Sequence, residues 1–332
     1  MKIAISEQTT EAARGLAYIG KVTELHPIAE ADRIESAVVV CGAGGRWTGV
    51  VKKGDFSIGD RCSVLLQDAV VKPDERWNFL ERSGWCVRMA RFRGAPSECV
   101  ILPPTDGFEV GDDITESLGV EKYQKAIHVS LAGDAIGDFP SFIPKTDEPN
   151  YQRARQLMEA LDGLPYVVTV KADGSSGTAY RHDGRFGVCS RNQELKEGPT
   201  GYWRVAKKYG IHERLPEGFA VQYEVVGPKI QSNPLGLKEI DALAFSVWDI
   251  ANREYLGHDE FVSFCADIGF PTVDIVKCGE SFCYSDDDLR LLAEGLYPGG
   301  KQREGVVIRS RAAMRVAGER LSFKVINLLY RD

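Results

Sequence analysis

A chain of 332 residues, 43% hydrophobic and 27% charged, with a formal net charge of −7, has the composition of a folded protein with room for two ordinary hydrophobic cores. Its acidity argues against a protein that coats nucleic acid without selectivity, because such binding is driven by lysine and arginine displacing counterions. No apolar run reaches the roughly eighteen residues of a membrane span, and Met1 to Glu7 lack the apolar core of a secretory signal. The eight scattered cysteines form no pair with zinc-ligand spacing, so the expectation is a cytoplasmic protein with no membrane contact, zinc site or disulfide framework.

The first hundred residues read as short strands punctuated by turns: Ala17 to Leu25, Ile34 to Cys41, Trp47 to Val51, Arg61 to Leu66, Cys86 to Phe92 and Glu98 to Leu102. Strands of this number and length predict a small barrel. The runs Leu25 to Ile34 and Val50 to Asp60 resemble OB-fold domains of the tRNA-binding type. Within them Lys52 and Lys53 follow a strand end, and a solvated loop and a phosphate contact are equal readings. From Pro103 to Pro149 prolines, glycines and acids follow without period. The expected division is an OB-fold domain at 1–105, a linker at 106–148 and a second domain at 149–332.

A helix is expected from Tyr151 to Leu161, where Ala154, Leu157, Met158 and Leu161 share one face and Asp162-Gly163 ends it. The apolar strand Tyr166 to Val170 then delivers Lys171, followed by Ala172, Asp173 and Gly174. A surface lysine, with a pKa near ~10.4, is protonated at neutral pH, whereas an attacking lysine needs burial beside other cations or a metal to free its lone pair. Alone, Lys-x-Asp-Gly is a weak signal. Downstream come the hairpin turn Asp183-Gly184, the strand Arg185 to Ser190 ending in Arg191-Asn192, and a helix from Gly201 to Leu215. That helix carries Arg204, Lys207 and Lys208 on its polar side, either a nucleic-acid surface or a solvated face. The strand from Phe219 carries Glu224, the strand Leu243 to Ile250 carries Phe245 and Trp248, and two last strands carry Glu304 and Lys324. A buried unpaired charge costs several kcal/mol, so these acids and lysines must converge on each other or on a ligand.

In this order the strings resemble the covalent nucleotidyltransferase superfamily of ATP-dependent ligases and capping enzymes. Glu224 to Asn233 and Phe323 to Asn327 look most like the ATP-dependent RNA ligases. Only eight residues follow Lys324, and the OB-like segment comes first, as in the group that joins a 3′-hydroxyl to a 5′-phosphate. The resemblance implies an α+β fold: an N-terminal OB-fold β-barrel followed by a nucleotidyltransferase domain of antiparallel sheets flanked by helices. It implies that Lys171 attacks the α-phosphate of ATP to form lysyl-AMP, that AMP passes to a 5′-phosphate, and that a 3′-hydroxyl then expels it. Mg²⁺ or Mn²⁺ would be held by Asp173, Glu224 and Glu304 largely through water. Lys324 would grip the α-phosphate and Arg191 the ribose or end-phosphate. Phe245 and Trp248 lie three apart on a strand and should point to opposite faces; the family pattern favours Trp248 on adenine and Phe245 in the core, the reverse being the alternative. Where the family has Lys-x-Lys this chain has Lys324 and Ile326, with Arg309, Arg311, Arg315 and Arg320 as candidate substitutes. The implied partner is RNA, or a nicked duplex with an RNA 3′-hydroxyl, acted on by a monomer in RNA repair. A DNA ligase, a capping guanylyltransferase and an inert OB-type nucleic-acid binding protein are the rival readings. The first two lack their C-terminal OB sequence here, and the third does not explain five charged residues kept together.

Overall fold

A computed structural model describes residues 15–42, 44–123 and 133–330. The segment read for a signal and the middle of the expected linker lie outside the described residues. The chain divides after Lys125 into two compact units.

In the first unit five antiparallel strands run in the order Gly45–Lys52, Ile34–Cys41, Ala17–Pro27, Arg61–Leu66 and Cys99–Leu102. Residues along Gly45–Lys52 alternate buried and half-buried, the period of a strand with one face on a core. That core contains Val22, Ala37, Val39, Trp47, Val64 and Ile101. The two outer strands approach each other, with the Glu98 amide donating to the Thr48 carbonyl at 2.7 Å and the Val50 amide to Ser97 Oγ at 3.1 Å. The sheet is thus a nearly closed barrel of OB type. Between the last two strands the chain inserts a 3₁₀ helix, Glu75–Ser83, and a small hairpin pairing Ala90–Phe92 with Ala95–Ser97. Only the end of the strand expected at Cys86 to Phe92 forms, as the first arm of that hairpin.

The stretch expected as a linker, 106–148, is built into both units. Ile114 and Val120 are buried in the first, where Ala69–Val70 pairs with Glu121–Lys122. In the second, Ala135–Asp138 pairs with Gln193–Leu195 and Ile143 is buried. Its apolar residues bury one at a time, so no period marks them in the sequence.

The second unit holds two large antiparallel sheets and a two-stranded one pairing Arg315–Val316 with Glu319–Arg320. One has seven strands, in the order Ala135–Asp138, Gln193–Leu195, Arg185–Ser190, Ser175–His182, Phe219–Val226, Asp241–Asp249 and Glu254–Tyr255. The other has four: Ile275–Gly279, Tyr166–Lys171, Gly305–Ser310 and Ser322–Ile326. The outer face of the larger sheet packs Val221, Tyr223 and Val225 against helices Gly201–Lys208 and His258–Asp267. The outer face of the smaller one packs Val168, Ile308 and Phe323 against Arg155–Leu161 and Asp286–Ala293. The helix expected over Gly201 to Leu215 is interrupted at Gly210, whose φ of 63° is left-handed and ends the first helical segment before Ile211–Arg214. Asp183 and Gly184 both have positive φ, 52° and 72°, as a two-residue hairpin turn requires. Among the described residues no helix is long and apolar enough to cross a membrane.

Helix Asp286–Ala293 opens on a capping box in which Ser285 Oγ accepts from the Asp288 amide and the Asp288 carboxylate accepts from the Ser285 amide. Replacing Ser285 with alanine should lower stability by about 1 kcal/mol in a denaturant titration, without altering the barrel.

Candidate active site

The inner faces of the two sheets of the second unit meet, and cross-strand register decides which side chains line the space between them. On the four-stranded sheet Lys171 pairs with Gly305, which pairs with Ile326; Thr169 pairs with Val307 and Val307 with Lys324; Val167 pairs with Arg309 and Arg309 with Ser322. Directly opposed residues of an antiparallel pair point to the same face. Lys171, Lys324, Arg309 and Ile326 therefore share one surface. On the seven-stranded sheet Glu224 lies opposite Ser176, and Gln222 opposite Thr178 and Ser246. Gln222, Thr178 and Ser246 are buried polar side chains, unusual for the middle of a sheet unless they line a functional cleft.

Lys171 Nζ donates to Glu304 Oε2 at 2.6 Å, and both side chains are largely buried. Burial would lower the lysine pKa, but Glu304, Glu224 and Asp173 together outweigh it, and the net shift is upward. Burial, with help from Glu304 and Asp173, pushes Glu224 up to about 8, against the pull of Lys171 and Arg191. Burial and like charge thus favour the protonated form of Glu224, while the carboxylates around Lys171 favour its ammonium form. The expected depression of the lysine pKa is thus absent from the ligand-free site.

The backbone is held as tightly as the charges. Tyr297 Oη donates to the Lys171 carbonyl at 2.6 Å and accepts from the Glu304 amide at 3.1 Å, tying both partners of the ion pair to one side chain. Gly174 is required because a Cβ there would sit 2.2 Å from the Val225 carbonyl oxygen, and Gly305, with φ of 152°, would place one 2.1 Å from that of Val325. These contacts give the Asp-Gly and Glu-Gly pairs of the sequence a steric reason. Gln231 Nε2 donates to the Gly174 carbonyl at 2.9 Å, and the Tyr330 hydroxyl donates to Asp173. Val170 and Ala172, flanking Lys171, line an apolar cavity of about 160 Å³ with Val226, Leu235 and Val273.

Asp173, Glu224 and Glu304 offer only oxygen, the donor set of a hard divalent cation, and an excess of negative charge for it to balance. They do not close within 4.8 Å of one another, whereas His182, Asp183 and Glu217 do, at the hairpin turn at the far end of the strand that starts at Ser175.

The sequence placed Trp248 at the nucleotide and Phe245 in the core, and the structure reverses their surroundings. Trp248 is 4% exposed, packed with Tyr180 and Ile143, and its Nε1 donates to the Phe142 carbonyl at 3.0 Å. The register shifts between Gln222 and Tyr223, whose partners are Ser246 and Ala244. Phe245 is the extra residue of a β-bulge, which breaks the alternation that the three-residue spacing assumed. It is half-buried and lines a narrow cleft with Val167, Thr169 and Arg309.

Arg191 is exposed, pairs with Asp147 and acts electrostatically on Glu224. Of the four arginines weighed against Ile326, Arg311 is tied to Asp259 and Glu280, and Arg315 lies over the Trp248 ring. Arg309 and Arg320 share one carboxylate, Glu148, at 2.9 and 4.0 Å. Burial would raise the Glu148 pKa, yet the two arginines and Ser322 hold it below the ordinary value. Burial, reinforced by Arg309, lowers Arg320 to about 10. Sequence reasoning missed Glu148, Tyr297 and Tyr330, because none lies on a strand of the recurring pattern.

An RNA ligase family model matches residues 164–326 and an OB-fold domain model matches residues 16–104. No curated protein matches the sequence. Among solved structures, the chain is similar to a Naegleria gruberi RNA ligase mutant with ATP and Mn, at 33% identity over 94% of this chain and 97% of that one, with a TM-score of 0.78. It is equally similar to the same organism's RNA ligase with PPi, at 34% identity, 94% and 96% coverage and a TM-score of 0.77. A further mutant, with AMP and Mn, matches at 34% identity, 94% and 96% coverage and a TM-score of 0.78.

Replacing Glu304 with glutamine removes the nearest anion holding the lysine proton, so the Lys171 pKa of the ligand-free protein should fall. A titration followed by the NMR shift of the lysine ε-carbon measures it; an unmoved midpoint would show that Glu304 does not hold the ammonium.

Proposed function

Because the chain belongs to the RNA ligase family, we propose that it seals RNA 3′-hydroxyl to 5′-phosphate ends, using Lys171 as the carrier of AMP. The observation that carries this reading is the Lys171–Glu304 pair at 2.6 Å within reach of Glu224 and Asp173: one amine, oriented by the backbone, in a ring of acids suited to a metal-bound triphosphate. ATP and Mn in the similar Naegleria structures support the same substrate and a divalent cation here.

The reaction divides into three in-line displacements at phosphorus, where positioning and charge neutralisation do most of the work. The neutral Lys171 amine attacks the α-phosphorus of ATP, a P–N bond forms, and the bond to pyrophosphate breaks. The oxygen of an RNA 5′-phosphate then attacks the same phosphorus, giving an adenylylated end and returning the amine. A 3′-hydroxyl finally attacks the end phosphorus, loses its proton and expels AMP. Bound Mg²⁺ or Mn²⁺ supplies positive charge against the phosphates and lowers the pKa of the amine. Asp173, Glu224 and Glu304 would hold that ion. Lys324, on the same face and one row from Lys171, grips the α-phosphate as a point charge. Arg191 faces the ribose or the end-phosphate. Phe245 stacks on adenine in the cleft beside Thr169. Arg309 and Arg320, two cations against Glu148, leave one positive charge uncompensated on the face where Ile326 contributes none.

Incubation with α-labelled ATP and Mg²⁺ or Mn²⁺ should label the protein covalently, and Lys171→Ala should abolish the label; stable labelling of that variant would sink the mechanism. Nicked duplexes ending in ribose should seal in preference to those ending in deoxyribose, and equal sealing would indicate a DNA ligase. Phe245→Ala should raise the KM for ATP in the labelling step by about tenfold, the scale of a lost base–aromatic stack. Trp248→Phe should lower thermal stability and leave that KM unchanged.

A further inference from the structure

Tyr330 has no part in the chemistry above, yet its hydroxyl donates to the carboxylate of Asp173, on the turn that follows Lys171. The two residues stand 157 positions apart, and no sequence pattern links them. What brings them together is Asn327, at the end of the last strand, Ser322–Ile326. Asn327 is fully buried and uses every polar group it has. Its amide donates to the Glu304 carbonyl at 2.9 Å, and its Nδ2 donates to the Arg303 carbonyl at 2.9 Å and to Gln302 Oε1 at 3.1 Å. Its Oδ1 accepts from the Leu329 amide at 2.8 Å, and its carbonyl accepts from the Tyr330 amide at 3.1 Å. The result is a turn fastened to the residues that deliver Glu304, and it returns Tyr330 to Asp173. Apolar burial alone does not account for it, since Leu329 is exposed and Tyr330 only half-buried.

An ionised carboxylate only accepts hydrogen bonds, at two oxygens with two lone pairs each. The acids around Lys171 divide those oxygens between different donors. Glu304 gives Oε2 to the Lys171 ammonium, whereas Asp173 gives Oδ2 to a neutral phenol. A neutral donor fixes the direction of a carboxylate without cancelling its charge. Hydrogen bonds of this kind hold metal-binding carboxylates in place, and losing the partner typically costs roughly 10–100-fold in metal affinity.

We propose that Tyr330 is a positioning residue for the divalent cation, aiming the Asp173 carboxylate and, through Asn327, coupling that aim to the strand that carries Glu304. The inference rests on the ligase reading of the site, from which Asp173 takes its role. Tyr330 acts through Asp173 and not on the reacting atoms.

The test uses the full-length protein and Tyr330→Phe, which keeps the ring and removes the hydroxyl. Binding of Mn²⁺ is followed by the EPR signal of the free ion in the presence of α,β-methylene ATP, and labelling of Lys171 by ATP is titrated with Mn²⁺ in parallel. The variant should bind Mn²⁺ about tenfold more weakly and need about tenfold more for half-maximal labelling. At saturating Mn²⁺ its KM for ATP should stay at the wild-type value. In the Asp173→Asn background the same change should cause no further loss of Mn²⁺ affinity. Unchanged Mn²⁺ affinity with a lowered thermal midpoint would reduce the contact to a fastening of the turn and overturn the proposal. Tighter Mn²⁺ binding would overturn it too, because the hydroxyl would then compete with the cation. So would a wild-type protein that labels Lys171 without binding Mn²⁺. Failure of the ligase reading registers separately, as absence of label on the wild-type protein.

Discussion

One lysine held among three carboxylates sets the terms for the rest of the second unit. Lys171 and Glu304 come from neighbouring strands of one sheet, Glu224 from the other, and their mutual field keeps the amine protonated while it raises Glu224. Burying such a group costs several kcal/mol unless partners compensate. The arrangement is therefore a costly structural ion pair, with an excess of negative charge around one amine.

The scaffold serves that arrangement through register. Rows of cross-strand neighbours place Lys171, Lys324 and Arg309 on one face, and the opposing sheet answers with Glu224, Gln222 and Ser246. The outer faces of both sheets are apolar and covered by helices, so stability is supplied outside and chemistry inside. Tyr297, bridging the Lys171 carbonyl and the Glu304 amide, fixes the backbone of the two strands that carry the ion pair. Gly174 and Gly305 allow backbone approaches that no other residue fits.

Several features were legible because local chemistry dictates them. Strand starts and ends near Lys171, Ser190 and Arg61 follow from alternation and turn residues, and Asp183-Gly184 takes the turn its composition demands. The convergence of charges was legible because isolated buried charges are too costly to scatter. The places of Phe245 and Trp248 were not, since a single inserted residue on one strand shifts the parity of everything beyond it. Glu148 was hidden in a proline-rich run, and its pairing with Arg309, 161 positions away, leaves no local trace. The break at Gly210 turned on one left-handed residue inside a pattern that otherwise reads as helix.

By itself the sequence pointed to two units, to their strand-rich architecture, and to charged residues of which the structure brings Lys171, Asp173, Glu224 and Glu304 together. Periodicity and the cost of burying charge act locally or apply to any fold, and both can be read along a chain. The tertiary structure alone decided which aromatic faces the cleft, that the lysine rests protonated, that Ile326 shares a row with Lys171, and which arginines have charge to spare. Those outcomes depend on register, on bulges and on fields summed from distant strands, and such quantities exist only once the chain has folded.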